Sequence, residues 1–436
     1  MGQRLWLSRR IAIAGTAALL AATPSLAAKP YLLRDLTPGR EGSSFTGIAV
    51  LDEIALIARY IEPSGRAELW RTDGTSAGTH RIASMPACGP PTNLTVVGAE
   101  AWLFARRPSP NGCKTLLLAS DGTGLRRLAA VAAEPLGWPV IPFSGGLYFA
   151  AEDPERGREL WVTDGSPRGT HITIDLYPGE SDGLRYRPFE FGDGVLFGGR
   201  AGVGDNGLFL WDGEEATLLE EHLLVDGYDT AWLDGERFMF AFYTAPGLWK
   251  TDGTPQGTIE VWLSGHSTSL SDLRTYGDAL FFWRDPRAGS YWDVWTSDGT
   301  EAGAHALVDI DSGDVSRFAE FGGELIFANI WLELWATDGT ERGTRRIYDF
   351  ESNFGPYGYE WQEAEGRLYF QGGAIATGRE LWSTDGTTPG TRPEGDIWPG
   401  EFDSFPAVLT AVGHYLVFTA NDGLHGRELW ALDASP

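Results

Sequence analysis

Glu159-Leu160-Trp161-Val162-Thr163-Asp164-Gly165-Ser166-Pro167-Arg168-Gly169-Thr170 is the stretch whose reading decides the fold. Near copies stand at Glu68–Thr79, Leu248–Thr258, Val294–Ala304, Glu333–Thr344 and Glu380–Thr391, and a truncated one, Glu428–Asp433, almost ends the chain. Two eroded copies fill the gaps, Leu116–Thr123, read with Leu117 in place of the tryptophan, and Leu208–Gly213, read with Trp211 as the tryptophan. A unit returning about every 38–50 residues is the signature of a repeat architecture.

Within the unit, Glu159, Trp161 and Thr163 alternate with Leu160 and Val162, as on an extended strand, and both sides carry large apolar groups. Such a strand must be covered on both faces. Asp164-Gly165 then ends it, because Asp bonds its own backbone two residues on and Gly reaches positive φ without steric cost. Gly169 closes the loop and Thr170-His171-Ile172 resumes a β pattern, so the motif is a hairpin. Two more short apolar runs precede each hairpin, such as Ala407–Val412 and Tyr415–Phe418 in the last unit. Each unit therefore reads as four short antiparallel strands.

A four-stranded unit cannot bury two apolar faces alone, and radial stacking of such sheets is the β-propeller solution. Counting the eroded copies predicts nine blades, with eight as the alternative. The last copy lacks the strand that follows the turn elsewhere. Tyr31-Leu32-Leu33-Arg34-Asp35-Leu36-Thr37-Pro38-Gly39 supplies it, since it matches Ile172–Gly179 and Gly395–Gly400. The N-terminal strand is thus expected to pair into the final blade and seal the ring.

Residues 1–27 differ from the rest. Arg4, Arg9 and Arg10 precede an apolar, Ala-rich run and a small-residue end at Ala27-Ala28, the pattern of a cleaved secretory signal. The apolar run is too short to span a bilayer of about 30 Å. Ser8-Arg9-Arg10-Ile11 also resembles a twin-arginine signal, and the export route stays open. The propeller is expected to occupy residues 28–436, exported and without membrane insertion.

Lys+Arg 34 against Asp+Glu 60 gives a net charge of −26, and the expected leader contains only positive charge, so the remainder is more acidic still. Such a surface repels nucleic acid and anionic membrane. The two cysteines, Cys88 and Cys113, form an even count in an exported chain, which favours one disulfide, with two buried thiols as the alternative.

The tryptophans Trp70, Trp161, Trp211, Trp249, Trp295, Trp335, Trp382 and Trp430, read as sharing one repeat position, are better explained as packing anchors than as a sugar-binding row. The turn aspartates Asp73, Asp164, Asp252, Asp298, Asp338 and Asp385 would ring one rim. Ca²⁺ wants six to eight oxygens, which one Asp per turn does not provide unless neighbouring loops add theirs, so turn chemistry is the better account and no metal ligands or other cofactor are assigned. His80, His171 and His305 fall in equivalent strands of different blades and cannot share a metal. No nucleophile elbow, zinc-protease helix or phosphate-binding glycine loop appears, and no catalytic residue is assigned.

The residues out of step with the repeat are loop aromatics. Tyr359 and Trp361, near Tyr357 and Glu360, and Trp398 are the candidate ligand-binding residues. Aromatics between blades stack on sugar or peptide, or fill gaps where irregular blades meet.

The Glu-Leu-Trp-x-x-Asp-Gly-Thr-x-x-Gly-Thr pattern resembles that of the bacterial ELWxxDGT repeat proteins. It is met in full at Glu68–Thr79, Glu333–Thr344 and Glu380–Thr391 and spans nearly the whole chain after residue 28. The resemblance implies export and a propeller-like fold and carries no activity, substrate or catalytic residue. A monomeric, non-catalytic binding scaffold for a protein or glycan partner is the leading expectation. A polysaccharide hydrolase or lyase with its site at the central channel, and a structural envelope module, are the alternatives. Catalysis would need polar residues from different blades converging on the channel with shifted pKa values.

Overall fold

The structure, a computed structural model, describes residues 28–39, 42–241, 247–263, 269–285, 292–312, 317–329, 333–350 and 360–436. The proposed leader, 1–27, lies outside them, as do Tyr357 and Tyr359. The described chain is all-β, forming nine antiparallel sheets in a ring. We number the blades along the chain: blade 1 spans residues 44–86, blade 2 92–131, blade 3 134–172, blade 4 189–221, blade 5 225–263, blade 6 269–312, blade 7 319–349, blade 8 362–393 and blade 9 407–433. Blade 9 takes its fourth strand, Tyr31–Arg34, from the start of the described chain; Tyr31 pairs with Ala431 and Leu32 with Trp430.

The core is divided among the junctions. Nine clusters of buried side chains each join two successive blades, the last joining blade 9 to blade 1 through Leu33, Val417 and Leu429 against Ala55, Ile57 and Trp70. The two-sided repeat strand explains this arrangement. Trp161 packs toward blade 2 and Leu160 toward blade 4; Trp382 faces blade 7 and Leu381 faces blade 9. First strands of neighbouring blades touch, as Ser44–Leu51 does with Thr92–Val97 and Ala407–Val412, so they line the centre.

The two eroded units keep the common register, and their tryptophan positions fall elsewhere than expected. Leu118, not Leu117, takes the tryptophan position in blade 2: Leu103 pairs with Leu118 as Ile57 pairs with Trp70, and Leu118 faces blade 1. In blade 4 the position belongs to Phe209, paired with Phe197, while Trp211 occupies the place of Thr72. Lining up tryptophans misplaces the blade 4 unit, and in blade 2 the residue three before Asp121 is Leu118. The Asp-Gly turn is the reliable register mark, because its backbone demands leave no freedom to slip.

Blade 3 departs from four strands, since Glu134–Pro135 and Ile141–Phe143 both pair with Gly146–Asp153. The intervening Leu136-Gly137-Trp138-Pro139 breaks the inner strand, as Pro139 has no N–H to give a ladder. The cysteines are joined, Cys88 on the link from blade 1 to Cys113 in the second hairpin of blade 2, which fixes that link across the eroded blade.

The turn repeats to the level of single hydrogen bonds. Asp73 Oδ1 accepts the Thr75 amide at 2.9 Å and its hydroxyl at 2.7 Å, and Thr75 Oγ1 accepts the Gly78 amide at 3.0 Å. Asp252, Asp298, Asp338 and Asp385 repeat the pattern. The hydroxyls of Thr72 and Thr79 share a hydrogen bond of 2.7 Å below it. A Cβ on Gly78 would stand 2.1 Å from the Asp73 carboxylate, which is why that position is glycine.

Candidate functional site

The repeat glutamate has two uses, and they sort the blades. In blade 1, Glu68 takes the Trp70 indole N–H at 2.9 Å and Arg81 at 2.5 Å. In blade 7, Glu333 takes Trp335 at 3.2 Å and Arg346 at 2.5 Å. In blades 3, 8 and 9 it instead holds the long link to the next blade. Glu159 accepts the amides of Leu176 at 3.3 Å and Gly183 at 2.7 Å. Glu380 accepts Ile397 N at 3.0 Å, Trp398 N at 3.3 Å and Ser404 Oγ at 2.7 Å. Glu428 accepts Leu36 N at 2.9 Å and Ser43 Oγ at 2.9 Å. Burial pushes Glu159 up to about 8 and Glu380 up to about 7, against the lowering effect of these donors. They are structural groups wedged between blades and closed to solvent.

The turn aspartates behave otherwise. The threonine hydroxyl and then the amide two residues on hold Asp252, Asp298 and Asp338 below the usual carboxylate range. One oxygen of each is already engaged in its own turn. Among the described residues no group of three or more His, Cys, Asp or Glu side chains is placed to hold a metal ion.

At the centre, polar groups from several blades do converge. Asp229 on the first strand of blade 5 accepts the backbone N–H of Asp272 on the first strand of blade 6. Burial, reinforced by the Asp272 carboxylate, raises Asp229 to about 6, and burial raises Asp272 as well. Asp272 Oδ1 accepts Arg274 Nε at 3.1 Å and Oδ2 accepts the Phe318 amide, tying blade 6 to blade 7. Asp272 itself sits at φ 51°, in the left-handed region that Asp tolerates, at a register shift of its strand.

Beside this network lies a cavity of about 380 Å³ between the inner strands of blades 7 and 8, which includes Arg274 of blade 6. Trp361 forms one wall, its Nε1 donating to Arg317 O at 2.8 Å and its ring 5.2 Å from Phe370. Arg274, Arg317, Glu320 and Glu363 supply charge around it, and Leu325 and Leu368 its apolar floor. The candidate Trp361 is thus placed in a pocket.

Trp398 is placed elsewhere. It stacks on Phe402 at 5.2 Å and covers Gly423, where a Cβ would approach its ring to 2.4 Å, so it fills space over the link from blade 8 to blade 9. Sequence reasoning missed Asp229, Asp272, Arg274 and Arg317, which no motif marks. The one available signal was an acidic residue on an inner strand otherwise apolar, and only the ring shows which strands are inner.

These features define a nine-bladed β-propeller with a polar inner wall on one side. A scan of protein-family models finds no match, and comparison with curated proteins finds none. Solved structures with a similar fold include the computationally designed Ika8 protein (13% identity, TM-score 0.47, covering 91% of this chain and 98% of that one). A prolyl endopeptidase is similar at 12% identity and TM-score 0.46, covering 87% of this chain and 52% of that one. BamB from Moraxella catarrhalis is similar at 11% identity and TM-score 0.39, covering 70% of this chain and 85% of that one. At these identities the likeness concerns the fold alone.

Proposed function

We propose that this chain is an exported, monomeric binding scaffold of the ELWxxDGT repeat kind, which engages a glycan or protein partner at the inner wall of blades 6–8. The observation that supports this reading is the Trp361 cavity: an aromatic wall with two arginines and two glutamates beside it, its tryptophan pinned by the Arg317 carbonyl. A preformed pocket with an aromatic face and convergent polar groups suits a sugar ring or an extended side chain. The test is binding of the full-length product to glycan and peptide arrays. Trp361→Ala should abolish the hits and Trp398→Ala should leave them; equal loss in both, or none in either, sinks the assignment. Export is tested by N-terminal sequencing of protein recovered outside the cytoplasm, which should begin near Ala28.

A polysaccharide hydrolase or lyase is the second reading, and one observation favours it. Asp229, raised to about 6, and Asp272 come from adjacent blades beside two arginines, which is an arrangement able to hold a proton near neutral pH. Depolymerisation of an acidic or neutral polysaccharide by the wild type and not by Asp229→Asn would establish it. Absence of turnover with intact binding would favour the scaffold.

A further inference from the structure

Blades 3, 8 and 9 carry the same link to the next blade, and its third copy differs in charge from the other two. In each, Gly-Arg-Glu-Leu-Trp opens the third strand and Asp-Leu/Ile-x-Pro-Gly follows the blade, beginning at Asp175, Asp396 and Asp35. Seven residues past that aspartate stand Asp182, Asp403 and Gly42. Asp182 binds Arg158 through its backbone N–H at 3.0 Å and its guanidinium at 3.7 Å. Asp403 binds Arg379 in the same way, at 2.7 and 3.3 Å. Arg427, the third arginine, meets Gly42, which sits at φ 70° so close that a Cβ would lie 2.4 Å from Arg427 N. No side chain fits there, so the aspartate is excluded by the backbone.

Arg427 therefore hydrogen-bonds only to neutral groups, the Phe405 carbonyl at 2.9 Å and Thr419 Oγ1 at 3.1 Å, both through Nη1, and the carboxylate whose charge reaches it, Glu360, makes no hydrogen bond to it. Among the described residues no carboxylate lies within ion-pair distance of it, and its Nη2 and Nε make no hydrogen bond. A second cation is added at the same seam. Arg59 stands in blade 1 where the sister junctions have Gly199 and Ala420, as its place in the second strand shows. It is 2% exposed, held by Ser43 Oγ at 3.1 Å, Thr37 Oγ1 at 2.9 Å and a 3.4 Å approach to Glu68, which Arg81 shares. Compared with its sisters, the closing junction has lost an aspartate and gained an arginine.

Both arginines line a cavity of about 670 Å³ between blades 9 and 1, with Ser43 and Thr419 beside them and Phe45 and Val408 as apolar walls. Glu62 is the one carboxylate of its lining, on an exposed turn. Val408 holds φ 56°, a conformation a β-branched residue adopts only when its surroundings enforce it, as at ligand sites. Its amide is fixed by Glu360 of the neighbouring blade.

We propose that this seam is an oxyanion-binding site, in which the carboxylate, sulfate or phosphate group of a ligand takes the place of the missing aspartate on Arg427, with Arg59 behind it. A guanidinium with two free N–H directions in a partly desolvated pocket is the donor that such groups recognise. The site shares no lining residue with the Trp361 cavity, although Glu360, next to Trp361 in the chain, holds the Val408 amide at its edge.

Calorimetric titration of the full-length product with hexanoate and with inorganic phosphate tests it. Saturable one-to-one binding of either is expected, and the stronger of the two identifies an organic carboxylate or an inorganic ion as the better source. Arg427→Met should weaken binding by at least about tenfold, the scale of one charge-assisted contact. Arg379→Met, the sister change, should not alter it. Should Arg427→Met fail to fold, Arg427→Lys keeps the charge and loses the forked geometry, and severalfold weaker binding is expected. No saturable binding of either anion, or equal affinity in the wild type and a folded Arg427 variant, overturns the proposal.

Discussion

The Leu36 amide donates to Glu428 Oε2 at 2.9 Å across 392 residues of chain. That bond, with Thr37 N at 3.2 Å and Ser43 Oγ on the other oxygen, clamps the start of the described chain onto the third strand of the last blade. The repeat glutamate here does what it does at two internal junctions, so ring closure reuses an existing joint.

Glu428→Ala should therefore loosen the seam that closes the ring. It leaves two backbone N–H groups and a hydroxyl unsatisfied in a buried place, at about 1–3 kcal/mol each when no water replaces the lost acceptor. A loss of roughly 3 kcal/mol in urea unfolding is expected. Glu333→Ala, whose arginine partner is half exposed, should cost about 1 kcal/mol or less. Equal losses would mean that the clamp on the N-terminal strand contributes nothing special.

Gly169→Ala should destabilise by about 1–3 kcal/mol although the glycine has ordinary φ, because an added Cβ would stand 2.0 Å from Asp164 Oδ1. In a double-mutant cycle with Asp164→Ala, removal of the carboxylate should recover part of that loss. Additive effects in thermal melts would show that the clash is relieved elsewhere.

How much of this was legible in the chain follows from which forces are local. The turn is set by Asp, Thr and Gly within a few residues, so Asp73 to Thr79 announces itself, and the two-faced strand of Leu160 and Trp161 follows from period-two alternation. Closure was readable because Tyr31–Gly39 repeats a pattern found twice inside the chain. The tryptophan position was misread at Trp211 because Phe209, two positions away, fits the same inter-blade space, and at Leu117 because its neighbour Leu118 is equally apolar, although the two face opposite junctions. Of the inner wall only Trp361 was legible: Asp229 and Asp272 come together because the ring sets their two blades side by side, and no motif marks them. Trp398 and Trp361 look alike in sequence, and only the second lines a cavity.

Reduction of Cys88–Cys113 should lower stability by about 3 kcal/mol, the entropy scale for a loop of 25 residues. The effect should be local. Blade 2 has leucine where the other blades carry tryptophan or, in blade 4, phenylalanine, so hydrogen exchange should rise first at Thr92–Val97 and Gly112–Ser120, with blades 5 and 6 unchanged on addition of reductant.

The buried glutamates make the whole ring sensitive to alkali. Burial raises Glu159 to about 8 and Glu380 to about 7 from an unfolded value of 4.5, and raises Glu428 in the same direction. An acid whose folded pKa exceeds its unfolded one binds its proton more tightly when folded. Its stabilising effect is complete below about pH 4.5 and is lost as pH rises through 7 and 8. Stability should therefore fall between about pH 5 and 8, by on the order of 3–5 kcal/mol for Glu159 alone. Asp229, raised to about 6, adds to the lower part of that window. The double variant Glu159→Gln, Glu380→Gln should begin less stable at pH 5, since each glutamine has one acceptor oxygen where the glutamate serves amides with two, yet lose far less between pH 5 and 8. Urea midpoints measured across that range decide the matter: parallel slopes in the wild type and the double variant would show that both carboxylates titrate normally and that the donors around them outweigh burial.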